Sequence, residues 1–93
     1  MKHTQQEIYE RIFALIKRSF SDGVYIYHGK DIIDYLKYVL PGFDVEDEAK
    51  VKAVLIQLET DGYLTLNEST MDVVYKVEGM LRAIGAKPLG EGQ

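Results

Sequence analysis

Cysteine and tryptophan are absent from the 93 residues, and proline occurs only twice. Without cysteine there are no disulfide staples, no thiolate zinc site and no cysteine nucleophile. With eight glycines and two prolines, little interrupts the chain, so long periodic segments have room to form. No apolar run approaches the roughly 18 residues of a membrane-crossing helix. Met1 to Glu7 lacks the apolar stretch of a signal peptide. The expectation is a soluble cytoplasmic protein with no membrane partner. The length is that of one domain, whose core must stand alone or be extended by self-association.

The hydrophobic fraction is 46%, charged residues make up 28%, and the net charge is −4 with a pI near 5.1. That balance is globular, and its sign is unfavourable for gripping a polyanion. The charge is also unevenly spread. Residues 1–30 hold five bases against three acids, whereas residues 31–70 hold three bases against nine acids. The middle of the chain is therefore acidic and the first segment mildly basic.

Ile8, Ile12, Leu15, Ile16 and Phe20 recur at helical spacing, which predicts a first helix from Gln5 to Phe20. Thr4 with Glu7 three residues later makes a capping box, and Ser21-Asp22-Gly23 ends the helix. Val24 to Tyr27 has the β-branched and aromatic composition of a short strand. A second helix is expected from Lys30 to about Val39, stopped by Pro41-Gly42. Asp44 is placed to cap a third helix running to Asp61, with Val51, Val54, Leu55 and Leu58 as its buried stripe. Tyr63–Leu66 and Met71–Val77 flank Asn67-Glu68-Ser69-Thr70, the pattern of an antiparallel hairpin. Val77 to Ile84 is brief and amphipathic, suited to a short last helix. The expected organisation is a single α+β domain over 1–84 and a flexible tail over 85–93.

This order resembles the winged helix-turn-helix superfamily. The resemblance rests on Leu55-Ile56-Gln57-Leu58-Glu59-Thr60-Asp61-Gly62-Tyr63-Leu64, similar to the end of a recognition helix leading through glycine into the first wing strand. Tyr27-His28-Gly29-Lys30-Asp31-Ile32 is similar to the entry into the second helix of such regulators. The resemblance covers about residues 5–77 and points to no single family. It implies a winged helix of three helices and a hairpin wing, with the third helix in the major groove and the wing beside the phosphates. The DNA-contacting residues would then be Lys30, Glu46, Ala49, Lys50, Lys52, Ala53, Gln57 and Lys76. Lysine and glutamine are able to read bases, and alanine meets thymine methyls. The pattern departs from this where Glu46-Asp47-Glu48 opens the third helix and the wing turn carries an acid and no base.

Two functions from different classes follow, beside a third in which the chain is an accessory subunit of a nucleic-acid machine that touches DNA only within a complex. One is a small DNA-binding transcriptional regulator, paired as a homodimer through Tyr9, Phe13, Met80, Leu81 and Ile84. The other is an acidic winged-helix module that binds a basic protein partner. No nucleophile–base pair presents itself, so no enzyme and no cofactor are expected. Glu46-Asp47-Glu48 reads as a complement to the helix dipole, because adjacent carboxylates lack metal-loop spacing. His28 reads as a turn or cap residue, and His3 as a solvated terminal residue. The seven tyrosines read as the rim of the core.

Overall fold

Thr4 opens the first helix, α1 (Gln5–Ser21), through the expected box: its hydroxyl accepts the Glu7 amide at 3.0 Å and the Glu7 carboxylate accepts the Thr4 amide at 3.0 Å. The structure, a computed structural model, describes residues 3–85. From residue 86 onward the expected tail lies outside the described residues. Strand β1 (Ile26–Tyr27) is shorter than the Val24–Tyr27 segment expected. The reason is local: the Val24 amide donates to the Ser19 carbonyl at 2.9 Å and is drawn back to the end of α1. Helix α2 (Gly29–Val39) is followed by α3 (Val45–Thr60), then strands β2 (Leu64–Asn67) and β3 (Asp72–Tyr75) and a short α4 (Val77–Ala83).

The three strands form one antiparallel sheet in the order β1-β3-β2. Strand alternation turns Leu64, Leu66, Val73 and Tyr75 inward and leaves Ile26, Thr65 and Val74 outside. The inward side chains meet Ile8, Ile12 and Ile16 of α1, Ile32 and Leu36 of α2, and Val51, Val54, Leu55 and Leu58 of α3 in one core. Each such side chain, once buried, contributes on the order of 1.5–3 kcal/mol. Within this core the Tyr75 hydroxyl and Ser19 Oγ lie 2.6 Å apart, and Ser19 Oγ also donates to the Ile16 carbonyl. That satisfies both buried hydroxyls. Burial pushes the Tyr75 phenol up to about 12.

One close approach fixes where α4 docks. Gly62 turns the chain out of α3 at φ +91°, and a Cβ added to Gly79 would stand 1.9 Å from the Gly62 carbonyl oxygen. Only hydrogen fits at position 79, so α4 lies directly on the α3–β2 turn. Met80 is thereby fully buried; it belongs to the core and not to the exposed flank expected of it.

Candidate functional site

Helix α3 and the β2–β3 hairpin present the surface on which the sequence placed most of its functional residues. Asp44 caps α3 by accepting the amides of Glu46 (3.0 Å) and Asp47 (3.1 Å), and Asp47 returns a bond to the Asp44 amide at 3.1 Å. With Val51, Val54, Leu55 and Leu58 turned inward, the outer side carries Glu46, Ala49, Lys52, Ala53, Ile56, Gln57 and Thr60, all exposed. Ala49, Ala53 and Gln57 follow at four-residue steps and share one stripe. Lys30 and Lys76 are exposed at the first turn of α2 and the cap of α4, on other elements.

The cations of this region have partners within the chain. Lys52 Nζ lies 3.6 Å from Glu68 of the hairpin turn, and Lys37 of α2 lies 3.9 Å from Glu48. Lys50 turns away from the outer stripe: it is half-buried, 3.6 Å from Asp47, and donates to the His3 carbonyl. The Gln57 amide donates to Asp61 at 2.9 Å, and the other Asp61 oxygen accepts the Tyr9 hydroxyl at 2.8 Å. Burial, then that carboxylate, push the Tyr9 phenol up to about 12. The hairpin turn is built from short polar side chains. Asn67 accepts the amides of Ser69 and Thr70, Thr70 accepts the Asp72 amide, and Met71 takes φ +65°.

His3 is the residue the sequence undervalued. Read as solvated, its ring is only 13% exposed, and ring and main chain together join three parts of the fold. Nε2 lies 2.7 Å from the Pro41 carbonyl, Nδ1 lies 3.4 Å from Glu7, and the His3 amide donates to Asp47 at 3.0 Å. The Pro41 carbonyl, with Glu7 and Asp47, holds the imidazole above its usual range against the opposing effect of burial. Asp47, taken as a dipole complement, is fully buried. Burial pushes its carboxyl up, but the amides of His3 and Asp44 outweigh this and hold it below its ordinary value. No periodicity could announce this cluster, because its members lie about 40 residues apart in sequence and meet only by packing.

His28 caps α2 without a side-chain bond; its ring lies 3.3 Å from Asp72, which also accepts the Gly29 amide at 3.2 Å. Among the described residues, no three His, Asp or Glu side chains are arranged to hold a metal. Of the residues expected to pair two copies, Tyr9 and Phe13 are packed against the core, Leu81 is half-buried and Ile84 is exposed. The Phe13 ring is occupied by Tyr63 at 4.8 Å and Tyr9 at 5.8 Å, with Lys17 over it at 4.7 Å. No helix among the described residues is long and apolar enough to cross a membrane. Compared with protein-family models, curated proteins and solved structures, the chain finds no match.

Proposed function

We propose that this chain is a cytoplasmic winged-helix module that uses the outer side of α3 to dock a protein rich in basic side chains. The winged-helix reading is supported by the element order α1-β1-α2-α3-β2-β3 and the strand order β1-β3-β2. The observation that carries the docking reading is the pairing of both α3 lysines with carboxylates of the same chain. Affinity for duplex DNA comes largely from free cations that displace counterions. Here Lys52 would have to leave Glu68, exposing a carboxylate a few ångströms from phosphate, where each like-charge contact costs roughly 1 kcal/mol or more. A basic protein meets Glu46, Glu48 and Glu68 as opposite charges, and the displaced Lys37 and Lys52 can swing outward on their flexible stems.

A second reading, duplex recognition by a transcriptional regulator, is favoured by the stripe of Ala49, Ala53 and Gln57, which has the size and polarity for a major groove. Lys30, Lys52 and Lys76 would supply its phosphate contacts, with Glu46 at the helix start, whereas Lys50 is turned toward Asp47 and His3. One variant separates the two. Under docking, Glu46→Gln/Glu48→Gln weakens binding of a labelled Lys/Arg-rich peptide, and neither protein shows salt-dependent anisotropy with a duplex. Under DNA reading the same change strengthens duplex binding, and Lys52→Ala lowers the salt slope by about one charge.

A further inference from the structure

The two outer edges of the sheet are finished differently. On the β2 edge the Leu66 amide donates to the Glu59 carboxylate at 3.1 Å, and the Lys52–Glu68 pair stands alongside. That edge is covered by side chains, a common means of keeping other strands away. The β1 edge runs through Val24–His28, with no charged residue from Gly23 to Tyr27. The Ile26 side chain is 55% exposed, and Val74, its cross-strand neighbour, is 49% exposed.

The direction of the main chain follows from the register. The Tyr75 amide donates to the Tyr25 carbonyl at 2.9 Å, and Ile26 stands opposite Val74. Bonding alternates along an antiparallel pair, so Tyr25 and Tyr27 turn their main-chain groups toward β3 while Ile26 turns its amide and carbonyl outward. Val24 has given its amide to the Ser19 carbonyl, and the His28 carbonyl accepts the Ile32 amide. Four outward groups remain along this edge: the Val24 carbonyl, the Ile26 amide and carbonyl, and the His28 amide. An unpaired run of this kind is a template for another strand.

These four groups are complementary to themselves. Placed antiparallel about a two-fold axis at Ile26, two copies exchange two bonds between their Ile26 residues. Each His28 amide then donates to the Val24 carbonyl of the other copy. The flanking charges obey the same symmetry. Asp22, at the cap of α1, and Lys30, in the first turn of α2, are exposed at opposite ends of this edge, so the two-fold axis sets an Asp22 and a Lys30 at each end of the interface. We propose that β1 is a homodimer interface, in which a second copy of this chain pairs with it antiparallel about Ile26 and joins the two sheets into one of six strands. The exposed Ile26 and Val74 side chains of both copies then form a continuous apolar strip. The interface is isologous and small, so association is reversible and concentration-dependent.

The absence of cysteine makes the test direct. Residues facing each other as a bonded antiparallel pair have Cα atoms about 5.5 Å apart, inside the range a disulfide spans. Under mild oxidation in the micromolar range, Ile26→Cys is expected to form a covalent dimer, whereas Val45→Cys, on the exposed start of α3, stays monomeric. By sedimentation, Ile26→Lys is expected to remain folded by circular dichroism and to be monomeric. Lys30→Asp is expected to raise the dimer Kd about tenfold or more, and adding Asp22→Lys to restore it. Wild-type protein that is monomeric at high micromolar concentration would overturn the proposal. So would an Ile26→Lys protein that self-associates unchanged, or a Val45→Cys protein that crosslinks as readily as Ile26→Cys.

Discussion

The two ends of α3 are held by opposite means. At its start, Asp44 and Asp47 form a closed polar box that also takes in the His3 amide and Lys50, while the His3 ring reaches Pro41 and Glu7. At its end Asp61 and Glu59 also accept hydrogen bonds, but the joint is made chiefly by packing: Leu58 is fully buried and Gly62 touches Gly79, with the Arg82 guanidinium over the Tyr63 ring at 5.6 Å. A joint of hydrogen bonds and charges depends on which groups hold protons. A joint of close-packed atoms depends on volume alone. The same helix is therefore tunable by pH at one end and sensitive to a single methyl group at the other.

The largest effect is expected at the packed end. Leu58→Ala leaves a cavity in the core between α1 and α3 and should cost about 2–5 kcal/mol, measured by urea unfolding at constant m. Gly79→Ala comes next, because its Cβ would overlap the Gly62 carbonyl and α4 must move away. Overpacking of this kind costs about 1–3 kcal/mol, and the loss should be the same at pH 5 and pH 8. A pH-dependent loss would show that the packed end is coupled to the polar one.

The smallest effect, and the one that sharpens the comparison, is at the polar end. The His3 imidazole is held above its ordinary value of 6.5, first by the Pro41 carbonyl and then by Glu7. A group whose folded pKa is raised stabilises fully below its unfolded value and loses that contribution as pH rises through the folded one. The Glu7 carboxyl is held below 4.5, first by the Thr4 amide and then by His3, and its contribution is lost as pH falls. The polar joint is therefore strongest between about pH 4.5 and 6.5. The melting temperature should decline as pH rises above that window, and His3→Ala should flatten the decline without altering the effect of Gly79→Ala. An unchanged slope in His3→Ala would place the titration elsewhere.

Most of the elements were legible in the chain because they are local. The Thr4–Glu7 and Asp44–Asp47 boxes span three residues, and the stripes of α1 and α3 repeat every three or four. Errors arose where a group outside the element's own pattern intervened. Val24 left the strand for the Ser19 carbonyl, Met80 was taken into the core by α4 docking on Gly62, and Lys50 turned from the outer stripe toward His3. The exposed stripe of Ala49, Ala53 and Gln57 was readable, since a buried stripe on a helix fixes the opposite side. The partners of Lys52 and Lys37 were not, because ion pairs between elements depend on how those elements pack.

By itself, then, the sequence determined the α+β composition, the helix starts, the hairpin and which side of α3 faces the core, all properties set by periodicity and neighbouring residues. Tertiary structure alone decided the sheet order β1-β3-β2, the fate of each lysine on α3, the enclosure of His3 and the difference between a covered and an open sheet edge. Each of these depends on groups far apart along the chain, and short-range patterns carry no record of which distant atoms will meet.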